Sequence, residues 1–215
     1  MEYQPDYDCP LCPRLVIYRN ENRTMFPAGY NGPVVSFGSL DSSLLIIGLA
    51  PGLKGANRTG RPFTGDVAGD LLYPTLIKFG LAEGTFGAKA DDGLELRDCR
   101  ITNAVRCAPP KNKVTGPEIA ACRSFLSAEI TQMKKLKVIL ALGVVAHGAV
   151  LSCLGEKISA IPFAHATRHK LTSGLTLINS YHCSRYNTNT GRLTPAMFED
   201  VFNSFVGEIR GDRLS

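Results

Sequence analysis

The chain has 215 residues, 44% hydrophobic and 20% charged, and its 24 basic against 19 acidic side chains leave a formal charge of +5. That apolar content is enough for a core and the charge is too low to keep a chain expanded, so disorder is excluded and a single domain over residues 1–215 is expected. The longest apolar runs, Leu44 to Ala50 and Val138 to Gly143, fall far short of the ~20 residues that cross a bilayer, which excludes a membrane span.

Met1 to Asp8 is acidic and polar and does not read as a signal peptide, so a reducing cytoplasm is expected. Prolines and glycines then break the first forty residues into short pieces, read as an N-terminal cysteine-bearing segment packed on the sheet edge. Four short runs rich in Ile, Leu and Val follow as predicted buried strands: Leu44 to Leu49, Arg100 to Val105, Lys137 to Leu142 and Leu175 to Ser180. Between and after them lie predicted helices over Val67 to Phe79, Gly116 to Met133, Val144 to Leu154 and Pro195 to Ile209. Thr115 before Gly116-Pro117-Glu118, and Thr194 before Pro195, supply N-caps at two of the starts. This alternation is that of an α/β protein with a parallel sheet covered by helices on both faces.

In such sheets a ligand binds beyond the carboxyl ends of the strands. Three loops there are polar: the one opening Gly48-Leu49-Ala50-Pro51-Gly52, the one following Asn103, and Asn179-Ser180-Tyr181-His182-Cys183-Ser184. His147 falls inside a helix and reads as a packing or capping residue, and Cys183 as a spectator thiol.

Seven cysteines at irregular spacing do not suggest a disulfide framework. Cys9 and Cys12 form a Cys-x-x-Cys pair, to which Cys107 and Cys122 add two thiols. Four thiolates suit zinc or a [4Fe-4S] cluster, and spacing does not choose between them. Cys99 and Cys153 read as packing residues.

The first loop is glycine-rich but lacks both the Gly-Lys-Ser/Thr ending of a triphosphate loop and the G-x-G-x-x-G pattern. It continues into Gly60-Arg61-Pro62-Phe63-Thr64-Gly65-Asp66. With Thr102-Asn103-Ala104-Val105-Arg106-Cys107-Ala108-Pro109-Pro110, His182-Cys183-Ser184-Arg185-Tyr186-Asn187 and the four cysteines, these motifs resemble the uracil-DNA glycosylase superfamily, and within it family 5. The resemblance runs in order from Cys9 to Asn187. It implies a three-layer α/β/α sandwich around a central four-stranded parallel sheet, and a [4Fe-4S] cluster on Cys9, Cys12, Cys107 and Cys122. It also implies a monomeric bacterial or archaeal repair enzyme, associated with the nucleoid, that acts on double-stranded or single-stranded DNA carrying deaminated bases.

Site roles follow from the same resemblance. An enzyme that acts on a base in a duplex must flip it into a pocket. Phe63 would stack on that base, with Ala50 and Gly52 lining its place, and Asn103 would read its edge with a donor and an acceptor. His182 would hydrogen-bond the base oxygen that becomes negative as the glycosidic bond breaks. Other families carry a carboxylate or amide near Leu49 or Ala50 to position water. Both positions are apolar here, so Asp66 is the candidate for that task, with Asp70 behind it. Aspartate before Val67 is also a good N-cap, and the two roles can coexist. Ser184, Arg185 and Asn187 would contact DNA, Tyr186 would wedge or stack, and Arg58 or others of the opposite loop's Lys54, Arg58 and Arg61 would face phosphate, with solvated charge an equal reading for Lys54.

Gly52 stands where family 1 places a thymine-excluding tyrosine, which suits a pocket open to hypoxanthine or xanthine as well as uracil. No lysine sits beside the catalytic motifs in a way that suggests a Schiff base, so base hydrolysis without strand cleavage is expected. Two other readings share part of the pattern. An iron-sulfur redox or electron-transfer protein needs only the cysteines, and a non-catalytic, zinc-stapled nucleic-acid-binding module needs no Asp66.

Overall fold

The computed structural model describes residues 3–211. Helix α1 (Pro13–Met25) precedes β1 (Leu44–Gly48), and a short α2 (Ala56–Thr59) leads into α3 (Val67–Lys78). A minimal hairpin of β2 (Ala82–Glu83) and β3 (Glu95–Leu96) brings the chain to β4 (Cys99–Asn103). Then come α4 (Gly116–Gln132), β5 (Val138–Leu142), α5 (Val144–Cys153), β6 (Arg168–Lys170) and β7 (Thr176–Ser180). The chain closes with α6 (Arg185–Asn189), α7 (Pro195–Asn203) and α8 (Val206–Arg210).

The main sheet runs β4-β1-β5-β7-β6. Its first four strands are parallel, whereas β6 pairs antiparallel with β7 through His169 and Leu177. The expected four-stranded, all-parallel sheet is therefore corrected to a mixed five-stranded one. The added strand is Arg-His-Lys, three residues at the edge with no apolar run to announce it. Charged side chains on an edge strand guard against pairing with another chain.

Alternation along the strands sends residues to opposite faces. Leu44 and Ile46 pack with Leu72, Tyr73 and Leu76 of α3 and with Phe198 and Phe202 of α7, whereas Leu45 and Ile47 pack with Leu126 of α4 and Val150 of α5. The result is an α/β/α arrangement. Among the described residues no helix is long and apolar enough to cross a membrane.

Local signals act as read. Thr115 and Glu118 form a capping box on α4, and the Thr194 hydroxyl accepts from the Met197 N–H on α7. The last predicted helix is two, because Ser204 and Phe205 interrupt it and Phe205 turns into the core against Phe202. A buried ion cluster ties β4 to α4, with Glu129 accepting from Arg100 Nε and Arg106 Nη2, each at 2.6 Å. Because β1 lies between β4 and β5, successive crossovers leave it on opposite sides and a crevice opens at the strand ends.

Candidate active site

At those strand ends lies a cavity of about 560 Å³. Leu49 to Gly52 enter it from the end of β1, Leu142 to Val145 from β5 and the start of α5, and His182 with Ser184 to Tyr186 from beyond β7. Asp66 to Ala68 and the Pro109 and Asn112 loop complete its wall. Ala50, Gly52, Asp66, His182, Ser184 and Arg185 thus meet at one place.

Asp66 is the N-cap of α3, its Oδ1 accepting from the Ala68 N–H at 3.1 Å. Its Oδ2 faces the first loop so closely that a Cβ on Gly52 would stand 3.1 Å from it, and one on Gly55 2.6 Å. Glycine at these positions makes room for the carboxylate. Burial pushes the Asp66 carboxyl above the ordinary aspartate range, against the backbone N–H groups of Gly69 and Ala68. The two carboxylate oxygens therefore have different surroundings, one in the helix cap and one against the glycine loop.

Phe63 and Asn103 lie one layer behind the open cavity. The Phe63 ring stacks on His182 with centroids 5.9 Å apart and planes at 24°. Burial pushes the His182 imidazole down to about 4, and its buried Nδ1 has no hydrogen-bond partner among the described residues. Neutral imidazole is thus the form present at pH 7. Asn103 is 3% exposed, and its side chain makes no hydrogen bond among the described residues. Gly48 lets Asn103 and Phe63 approach the end of β1, since a Cβ there would lie 2.5 Å from both Asn103 Oδ1 and Phe63 Cζ.

Phe63 has φ +55, a left-handed backbone uncommon for an aromatic residue. Three contacts impose it. A Cβ at Gly69 would collide with the Phe63 carbonyl, so glycine in α3 permits the approach. Tyr73 Oη donates to the Pro62 carbonyl at 2.6 Å. Arg61 is buried, paired through both terminal nitrogens with Asp92 at 2.7 and 2.6 Å, with its guanidinium near the Phe37 and Tyr73 rings. The Arg61 guanidinium, outweighing burial, holds the Asp92 carboxyl well below the usual range. Of the three basic residues of this loop, some of which were expected to face phosphate, Arg61 is a loop clamp instead. Asp92 and Tyr73 were not legible as site residues, since their link to Phe63 exists only once the hairpin packs on α3.

The outer residues vary in placement. Tyr186 is 71% exposed at the cavity rim, and Ser184 occupies the N-cap position of α6 without a side-chain cap bond. Asn187 Nδ2 donates to the His182 carbonyl at 2.8 Å, which braces the loop from within. Arg58 and Lys54 are exposed beside the first loop but do not line the cavity. His147 is a packed residue, its ring nitrogens 2.9 Å from Asn179 Oδ1 and the Ile161 carbonyl. Cys183 is buried in the core, and burial pushes its thiol up to about 12, which leaves no thiolate nucleophile at neutral pH.

The cysteine assignment is overturned. Among the described residues there is no group of three or more His, Cys, Asp or Glu side chains that could hold a metal ion. Cys9, Cys12, Cys107 and Cys122 do border one hollow with Leu15 and Arg19, but its volume of about 10 Å³ suits one water at most. Burial, reinforced by the neighbouring thiols, pushes Cys12 up to about 11 and Cys107 up to about 12. The expected [4Fe-4S] cluster, and the iron-sulfur and metal-binding character that came with it, are withdrawn. Cys12, Cys107 and Cys122 instead pack Leu15 of α1 against Val105.

The Uracil DNA glycosylase superfamily pattern matches residues 35–206. A type-5 uracil-DNA glycosylase of Thermus thermophilus is 46% identical over 198 residues, covering 90% of each chain. One of Mycobacterium leprae is 44% identical over 202 residues, covering 90% of this chain and 88% of its own. A type-4 uracil-DNA glycosylase of Thermotoga maritima is similar at 32% over 170 residues, 78% of this chain and 79% of its own. With matches that span the strand-end cavity and most of both chains, the chain belongs to the uracil-DNA glycosylase superfamily and, within it, to the type-5 family.

Proposed function

We propose that the protein is a DNA-repair glycosylase that flips a deaminated base from DNA and hydrolyses its N-glycosidic bond, leaving an abasic site. The convergence of Asp66, His182 and the Ser184 to Tyr186 loop on one cavity at the strand ends carries this reading. The cavity lies within the usual range for a small-molecule site and suits a single base. His182, neutral at pH 7, donates a hydrogen bond rather than a proton to the base oxygen on which charge develops, and such a fixed donor is worth most away from water. Asn103 reads the base edge with its unpaired amide, and Phe63 holds the aromatic floor behind His182.

Asp66 orients water towards the sugar carbon and opposes the positive charge of an oxocarbenium-like transition state. Ala50 and Gly52 leave the first loop without a competing polar side chain. Ser184, Arg185 and Arg58 hold the backbone, Tyr186 fills the gap in the stack, and Asn187 keeps the loop in shape. The open space at Gly52 favours uracil together with deaminated purines such as hypoxanthine and xanthine. Among the described residues no lysine lines the cavity, which supports hydrolysis without a Schiff base or strand cleavage. The chain acts as a monomer and a single domain on double-stranded or single-stranded DNA.

The test is single-turnover base release from duplexes carrying uracil, hypoxanthine or xanthine at one position, with an undamaged duplex as control. Release of uracil and at least one deaminated purine is expected. No release from any of them removes the catalytic reading, and a borohydride-trapped adduct removes the monofunctional mechanism.

A further inference from the structure

The loop after β4 has no role in the chemistry above. Pro109 and Asn112 line the cavity, placing this loop at the same rim as Arg185 and Tyr186. Lys111 and Asn112 both have left-handed backbones, with φ 55 and 56. Consecutive non-glycine residues in that region persist only where the surroundings impose it, and such strain clusters at ligand clamps.

The support is visible. Arg14 of α1 donates to the Lys113 carbonyl at 2.9 Å and is itself held by both oxygens of Glu118, at 2.7 and 2.8 Å. Backbone bonds from Asn112 to the Pro109 carbonyl and from Lys113 to that of Pro110 close the turn. Glu118 is thus committed to Arg14 and the α4 cap, whereas Lys111 and Lys113 are exposed and form no ion pair among the described residues. A rigid turn presenting two free cations beside a nucleotide-sized cavity suits a polyanionic strand.

We propose that Lys111 and Lys113 form a second phosphate grip, binding the DNA backbone beside the extruded nucleotide. The inference rests on the glycosylase reading and adds a contact on a loop that reading leaves idle. Each phosphate neutralised contributes about 0.9 to the slope of log affinity against log salt.

The experiment measures binding of the full chain to a fluorescent duplex with a stable abasic-site analogue, between 50 and 200 mM KCl. The double variant Lys111→Gln/Lys113→Gln is compared with Lys134→Gln/Lys135→Gln, which removes the same charge just before β5 at the opposite end of the sheet. The loop variant is expected to lower the slope by nearly two, so its affinity deficit is about tenfold larger at 50 than at 200 mM. The control variant keeps the parental slope. Equal slopes for parent and loop variant, or equal reductions in both variants, overturn the grip. Base release by the parent, measured alongside, separates this failure from failure of the glycosylase reading, since a parent that releases base with an unaltered slope in the loop variant refutes only the grip.

Discussion

Asp66 holds a helix cap with one oxygen and faces the glycine loop with the other, so two substitutions separate the functions. Asparagine caps helices about as well as aspartate, whereas alanine forfeits about 1 kcal/mol. For a chain of this size that corresponds to a fall in Tm of about 2–4 °C. Burial raises the Asp66 pKa, so ionised Asp66 costs the folded state stability, a cost that appears as pH rises through the folded pKa and vanishes below the unfolded one. Asp66→Asn should therefore melt at or slightly above the parent at pH 7, and Asp66→Ala about 2–4 °C below Asp66→Asn.

Catalysis should respond differently. A positioned carboxylate that handles a proton or opposes transition-state charge contributes about 10²–10⁴-fold, so both variants should lose at least about 100-fold in single-turnover release. Affinity for an abasic-site duplex should stay within about threefold of the parent, because the lost interaction belongs to the transition state. Calorimetry with rapid-quench release gives both readouts. Release by Asp66→Asn within about threefold of the parent would leave Asp66 as a cap only and refute the water-orienting role.

Release by the parent should decline on the acid side with an apparent pKa above 3.8, as Asp66 protonates. In Asp66→Asn the residual rate should stay level down to about pH 5, since His182 is held neutral to about 4; a limb near 6.5 in that background would contradict the buried imidazole. Gly48→Ala places a Cβ 2.5 Å from both Phe63 and Asn103, and overpacking of about 1–3 kcal/mol should appear as a lower Tm together with slower release. An unchanged Tm and rate would show that the three residues are not wedged together. Asp92→Asn leaves the buried Arg61 guanidinium short of its partner, and urea denaturation should register a loss of about 3–5 kcal/mol; less than about 1 kcal/mol would mean the clamp is dispensable.

The strands and most helices were legible because they rest on local signals. Ile-Leu-Val runs mark buried strands, and Thr115, Thr194 and Asp66 mark helix starts. The edge strand Arg168–Lys170 was not, because its pairing with β7 leaves no trace in a three-residue polar segment. The cavity residues were legible as motifs at strand ends, but the clamp role of Arg61 was not, since charge alone suggests solvent and its partner Asp92 lies 31 residues on. The cysteine motif misled for a related reason. Cys-x-x-Cys spacing says that two thiols can meet but not whether they meet as ligands, and here Cys12 is packed with Leu15 of α1, Cys107 and Cys122 in a small apolar cluster.

The site is built more by backbone than by side chains. Gly48, Gly52, Gly55 and Gly69 each stand where a single methyl would press on Asn103, Asp66 or Phe63. Their effect is to bring one carboxylate and one strained aromatic residue close to a loop whose own side chains, Leu49 and Ala50, are apolar. A carboxylate on that loop would compete with Asp66 for the same space. Because Asp66 is fixed by the Ala68 N–H at the start of α3, its position is set by the helix and not by the loop, so the cap holds the acid in place before any DNA arrives. One geometry thus serves the cap through Oδ1 and leaves Oδ2 facing the glycine loop, where the proposed water-orienting role needs it.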